Sequence, residues 1–340
     1  MKLVVIAAAL AATISGTRLY CSVARRRGII ARINARTLHQ DLVPRGGGIV
    51  FGSVFCLSVV LLWAIGELSL TLLLALGAGG AAAVGVGFMD DVHEITALKK
   101  LAIHACLSGW LLAVLYGPVY STVLGDLPLL LRIVATAAVV FVPLWLINLY
   151  NFIDGIDGMA IAGSVFVCGA ALVALAIAGR DGREEIMLAF ALLAACSVGF
   201  LFFNLPPASI FMGDAGSIFL GYTFAALLLT TVFTGQLALF TWITMLGYFI
   251  GDTTTTTVCR MFMVKRWYGV HKSHAYQNLA RVLASHARVT YGVLLYHVCW
   301  VLPLVVWGSR NPARGYIAAS LSVAPAVLWT LRYGPRYSSD

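Results

Sequence analysis

Apolar residues run along this chain in long, nearly uninterrupted blocks with neither the period-2 alternation of a strand nor the striped pattern of a surface helix. Eleven such segments stand out, at about 3–20, 47–66, 68–88, 101–119, 128–147, 158–178, 185–203, 216–233, 237–257, 290–308 and 315–332. Each is close to the roughly 20 residues that a helix needs to cross the hydrocarbon core of a bilayer. In lipid, every backbone polar group has to be satisfied within its own segment, so the segments are expected to be helices. The pattern predicts an all-α, polytopic membrane protein of about 11 transmembrane helices, forming one integral-membrane domain over residues 1–340. Gly-rich stretches such as Gly77 to Gly87 suit close helix packing.

Composition agrees. Of 340 residues 61% are hydrophobic and 11% charged, against about 25% charged in a soluble domain. The net charge of +9 raises nucleic acid as a partner. The basic residues instead sit in short loops between apolar blocks, which reads as membrane topology. Arg25, Arg26, Arg27, Arg32, Arg36 and Arg45 lie in the first loop, and Arg260, Lys265, Arg266, Lys272, Arg281 and Arg288 near 258–289. Lys99, Lys100, Arg332 and Arg336 fall on the same side, whereas Lys2, Arg180, Arg183, Arg310 and Arg314 fall on the other. The positive-inside rule then predicts a periplasmic N-terminus and a cytoplasmic C-terminus. The first segment resembles a signal peptide, but an arginine cluster stands where a cleavage site belongs, so an uncleaved span is expected. The seven cysteines include no C-x-x-C pair and read as small apolar residues.

The acidic residues carry the chemistry. Asp90, Asp91, Asp154, Asp157, Asp214 and Asp252 all fall at the ends assigned to the cytoplasm from Lys and Arg alone. Carboxylates at membrane depth are costly and mark function. Gathered together they repel unless a cation neutralises them, and hard oxygen ligands favour Mg²⁺ or Mn²⁺ shared with substrate phosphates. Asp214 stands in a Gly-flanked turn before a helix, where an anion would be favoured; a simple capping role is the alternative. His271 and His274 lie three apart and would share one face of a helical turn, suited to a phosphate or sugar; zinc would need further ligands. There is no nucleotide-binding P-loop and no nucleophile elbow.

Five ordered segments resemble one family: PRGGG at 44–48, MDD at 89–91, NFIDGIDG at 151–158, NLPPASIFMGDAGS at 204–217 and HKSHAYQ at 271–277. This is similar to the polyprenyl-phosphate N-acetylhexosamine-1-phosphate transferases, and the last loop looks most like the O-antigen-initiating branch. The resemblance implies transfer of a sugar-1-phosphate from a UDP-N-acetyl sugar to undecaprenyl phosphate, with release of UMP, at the cytoplasmic face of a bacterial inner membrane. It implies Asp214 as principal Mg²⁺ ligand with Asn151 beside it. Asp90 and Asp91 become the acidic pair next to the metal, and Lys100 the lysine that attracts the lipid phosphate. Asp154, Asp157, Asn204 and Phe211 are implied around the substrate, and Arg45, His271 and His274 near the sugar or diphosphate. The family's Lys or Arg after the acidic pair is replaced here by His93 and Glu94. A second copy of the chain is a candidate partner. The competing classes are a transporter, which would need midplane charges, and an aspartate-rich, Mg²⁺-dependent prenyltransferase.

Overall fold

The computed structural model describes all residues except 28–42, 94, 122–124, 126, 264–271 and 336–340. His271 and Glu94 therefore lie outside the described residues. Among the described residues the regular structure is helical, and eight helices are long and apolar enough to cross a membrane. These are α1 (Lys2–Arg27), α3 (Leu70–His93), α4 (Ala97–Val114), α5 (Leu129–Ile153), α6 (Met159–Ala178), α7 (Glu184–Asn204), α8 (Gly213–Phe233) and α11 (His286–Ser309). Between and after them come α2 (Gly48–Ala64), α9 (Gly247–Met263), α10 (Ala275–Val282) and α12 (Pro312–Tyr333). The apolar block at 237–257 is not one helix: it breaks at Leu246 into Leu239–Met245 and α9. Each of α3 and α11 contains a π-helical stretch, Leu73–Ala78 and His297–Val301, the kind of bulge that shifts side-chain register within a helix.

Helix α8 is the hub. It is apolar on every side, and 18 of its 21 residues are buried, as expected for a helix surrounded by others. It packs on α2, α3 and α5, and an aromatic cluster of Phe51, Phe55, Phe200 and Phe219 ties α2, α7 and α8 together. In contrast, α1, α4 and α5 turn most of their apolar side chains outward, including Leu129, Ile133, Val134 and Phe141 of α5. Outward apolar faces on long helices match a lipid surround.

Contact at the end of α8 that carries Asp214 is closer than ordinary side chains permit. A Cβ on Gly87 of α3 would fall on the backbone of Asp214 and Ala215, and one on Gly48 of α2 on the backbone of Gly216. Gly85, two residues earlier on α3, faces open space. Gly87→Ala should therefore cost about 2 kcal/mol or more and lower the apparent melting temperature in detergent. Gly85→Ala should hold or raise it, since alanine favours a helix by about 1 kcal/mol. Equal melting temperatures for the two variants would remove this close approach from the fold.

Candidate active site at the Asp214 end of α8

Four helix ends and one loop meet here. α3 ends with Asp90 and Asp91, α4 begins near Lys100, α5 ends at Asn151–Ile153, and α8 begins with Gly213 and Asp214. Arg45 arrives on the segment before α2. That segment is stitched to the chain preceding α8 by backbone hydrogen bonds: Phe211 N–H to Pro44 O (2.8 Å), Gly47 N–H to Phe211 O (3.0 Å) and Gly48 N–H to Met212 O (2.8 Å). Tyr20 of α1 adds its hydroxyl to the Arg45 carbonyl at 3.1 Å.

The first free amides of α8 are already filled. Asp91 accepts the Asp214 and Ala215 N–H groups at 2.9 and 3.0 Å, so a carboxylate from another helix occupies the positive end expected to attract phosphate. Gly213 makes this approach feasible, because its φ is +72° and a side chain there would strike the Asp91 carboxylate.

Around this cap, three carboxylates meet two cations. Arg45 Nε lies 2.9 Å from Asp91 Oδ1, and its Nη2 lies 3.4 Å from Asp214 Oδ2. Lys100 Nζ bridges Asp90 Oδ2 and Asp214 Oδ2, the latter at 3.4 Å. Asp90 also accepts the Ile95 N–H at 2.7 Å, which fixes the turn between α3 and α4. Asn151 donates its amide to Asp214 Oδ1 and, at 3.1 Å, to the Ser217 hydroxyl. Asp90 and Asp91 are buried, whereas Asp214, Lys100 and Arg45 keep part of their side chains in contact with the outside.

The structure thus brings Arg45, Asp90, Asp91, Lys100, Asn151 and Asp214 together. It places other predicted residues in a buried layer behind them. Asp157 accepts from Ala208 N–H (3.0 Å), pairs with His286 (3.1 Å) and receives the Thr290 hydroxyl on its carbonyl. Asn204 spends its amide on Ile210 O and Gly158 N–H. Phe211 contributes backbone bonds to the Arg45 segment. Asp252 and His274 pair with each other on α9 and at the start of α10, among α9, α10 and α12. Residues 272–274 are not helical, and His274 has the extended φ and ψ of a residue preceding a helix (−65°, 147°); its expected partner His271 lies outside the described residues. Asp252 takes the Ala275 N–H, and α10 starts there.

One participant was not anticipated. Ser217 lies one turn beyond Asp214 on α8 and accepts the Asn151 amide on its hydroxyl. Helical spacing from Asp214 was the available signal.

Asp154 stands just past α5. Burial pushes its carboxyl up to about 8, the Asp214 and Asp91 carboxylates add to the rise, and Arg45 opposes it. The set as a whole suits a hard divalent cation. Asp90 and Asp214 offer carboxylate oxygens, Asn151 an amide oxygen, and three carboxylates against two side-chain cations leave net negative charge. Among the described residues no group of three His, Cys, Asp or Glu side chains is arranged to hold a metal ion; the Lys100 ammonium stands between Asp90 and Asp214.

A helical bundle with eight candidate membrane spans and an acidic pocket, balanced by a lysine and an arginine at its helix ends, fits a multi-pass membrane enzyme. Residues 73–232 match the family described as Glycosyl transferase family 4. The chain is 28% identical over 276 residues to a probable undecaprenyl-phosphate N-acetylglucosaminyl 1-phosphate transferase of Bacillus subtilis (strain 168), covering 78% of this chain and 73% of the relative. It is 35% identical over 202 residues to a phospho-N-acetylmuramoyl-pentapeptide-transferase of Heliobacterium modesticaldum, with 55% and 60% covered. A decaprenyl-phosphate N-acetylglucosaminephosphotransferase of Mycobacterium tuberculosis is 31% identical over 224 residues, with 60% and 54% covered. The chain spans between about half and three quarters of the length of these relatives. The chain is thus similar to glycosyl transferase family 4 over the stretch that holds Asp90, Asp91, Lys100, Asn151 and Asp214.

The elevated Asp154 carboxyl has a consequence for stability. Folding takes up a proton at this group between the ordinary carboxylate value of 3.8 and about 8. Its contribution therefore falls as pH rises through that window and is fully unfavourable above about 8. With chelator present, Asp154→Asn should gain on the wild type by about 1–3 kcal/mol at pH 9, after discounting for partial solvent screening, and should show little difference near pH 4. Thermal unfolding across pH checks this; parallel curves would place the Asp154 carboxyl near its ordinary value.

Proposed function

We propose that this protein transfers an N-acetylhexosamine-1-phosphate from a UDP-sugar to undecaprenyl phosphate, releasing UMP and starting a lipid-linked surface glycan such as O-antigen. Candidate sugars are N-acetylglucosamine and the 6-deoxy sugars N-acetylfucosamine and N-acetylquinovosamine. The observation that carries this reading is the Asp90–Lys100–Asp214–Arg45 cluster at helix ends. It sets both signs of charge where a lipid phosphate can reach from the interface while its tail stays in hydrocarbon. Two of the relatives are named as N-acetylglucosamine phosphotransferases acting on a polyprenyl phosphate, and the third as a phospho-N-acetylmuramoyl-pentapeptide-transferase, which supports this reading.

The net reaction breaks one phosphoanhydride bond and makes another, with UMP leaving on the bridging oxygen. Two anionic substrates have to meet, and the protein lowers their repulsion with fixed charges. Lys100, on a flexible stem, faces the entering lipid phosphate, and Arg45, held by Asp91, faces the diphosphate. Asp90, Asn151 and Asp214 would hold a Mg²⁺ ion, which supplies charge neutralisation on the diphosphate when bound. Asp154, Asp157, Asn204 and Phe211 shape the nucleotide side, and His271 the sugar or diphosphate side. In this reading the chain is a single domain of eleven spans in a bacterial inner membrane, with the N-terminus periplasmic and the site cytoplasmic.

Purified protein incubated with labelled UDP-N-acetyl sugars and undecaprenyl phosphate should move label into lipid in a Mg²⁺-dependent manner. Asp214→Asn should lower that rate about 100-fold or more while the protein still elutes as a folded species. No lipid label with any of these sugars would sink the assignment. In a cysteine-free background, a cysteine at Lys99 should react with an impermeant thiol reagent only from the cytoplasmic side, and one at Arg310 only from the periplasmic side. The reverse pattern would overturn the orientation.

A further inference from the structure

We infer that Asp252 is a positioning residue for the nucleotide-sugar side of the site, acting through His274 and the start of α10 without touching cation or phosphate. This rests on the proposed transferase reading. Asp252 shares a membrane face with the site carboxylates in sequence, yet its hydrogen bonds run to α9, α10 and α12. Its Oδ1 accepts the Ala275 N–H at 3.1 Å, the Thr256 hydroxyl at 3.2 Å and the Thr330 hydroxyl at 3.2 Å, and His274 Nδ1 lies 3.8 Å away. These partners come from α9 itself, from α10 and from α12. Asp252 and His274 are each only 1% exposed. A buried carboxylate is costly; here Oδ1 offsets part of that cost through hydrogen bonds that join three helices, while Oδ2 has no hydrogen-bond partner among the described residues.

That geometry reaches the site through a short chain of contacts. The His274 ring lies against Tyr276 (centroids 5.8 Å apart) and against Phe152 (5.7 Å), the residue after Asn151. Tyr276 donates its hydroxyl to the Phe152 carbonyl at 2.6 Å. Its ring and the Gln277 amide fill the space where Gly155 would carry a side chain. Gln277 in turn accepts the His274 N–H at 3.4 Å, completing a capping box at the head of α10. On its far side α10 is tied to the end of α12, where Asn278 donates to Tyr333 O and Gly334 O. The turn at Phe152–Gly155 is thus wedged from behind by α10, and α10 is set by Asp252. Arg45, Lys100 and Asp214 are tied instead to Asp90, Asp91 and Asn151.

The inference separates nucleotide-sugar binding from cation and lipid binding. Asp252→Ala should raise KM for the UDP-sugar about tenfold, the equivalent of one lost net hydrogen bond, with kcat lowered less. Half-saturating Mg²⁺ and KM for undecaprenyl phosphate should stay within about twofold of wild type. Asp252→Asn keeps an acceptor for Ala275 and should restore part of the loss; Thr330→Val removes one donor and should shift KM in the same direction by less. A residue that only stabilises the fold would lower the amount of active enzyme, and so Vmax, at unchanged KM; that result overturns the inference, as does a shift in Mg²⁺ half-saturation. If Asp252→Ala fails to fold, the Asp252→Asn and Thr330→Val pair decides by the same criteria. Absence of transfer by the wild-type protein sinks the transferase reading itself, whereas an active wild type with unshifted variants sinks only this role.

Discussion

The structure depends on one electrostatic arrangement, the neutralisation of Asp90, Asp91 and Asp214 by Arg45 and Lys100 at a buried helix end. Ions taken out of water cost several kcal/mol each unless closely paired and hydrogen-bonded. Here the pairing comes from four separate stretches of chain, so each must arrive at a set position. Asp91 does two things at once, satisfying the first amides of α8 and anchoring Arg45. That double use dictates the glycines around it. Gly213 leaves room for the carboxylate, Gly87 lets α3 lie against the α8 backbone, and Gly48 does the same for α2. Close backbone packing is therefore found where the charges are. Behind it, α8 is an apolar rod gripped on all sides.

Much of this was readable from residue order alone, and the part that was not has a common cause. Uninterrupted apolar blocks predicted helices because lipid leaves the backbone no other option. The motif segments predicted which helix ends would meet. Block length is less exact: α2 is only 17 residues long, and the block at 237–257 is two helices joined at Leu246. Within the site, residue type and spacing indicate which groups gather but not which lone pairs are already taken. Asp91, Asp157 and Asn204 have their polar atoms engaged by backbone amides, carbonyls and His286, a use that looks the same in sequence as a ligand-binding one. His274 also pairs with Asp252, 22 positions earlier, a contact that spacing along the chain does not signal.

The two side-chain cations are not equivalent, and the difference bears on how the pocket works. Arg45 is bound at both ends of its segment: its guanidinium meets Asp91, its carbonyl receives the Tyr20 hydroxyl, and its neighbours are laced to 211–212. A planar, multiply bonded guanidinium so placed is a fixed charge. Lys100 has a compact ammonium on a flexible stem and spans two carboxylates of different helices. A polar environment stabilises transferring phosphoryl charge best when its dipoles and charges are set beforehand, and Arg45 and the capped α8 meet that condition. In the proposed transfer, an acceptor that enters from the bilayer would need a charge that can follow it, and Lys100 would supply it. Moving Lys100 toward a phosphate would leave Asp90 and Asp214 with uncompensated negative charge, the condition under which two carboxylates bind a hard cation most strongly. Under the proposed reaction, cation binding and acceptor capture would then be coupled through Lys100.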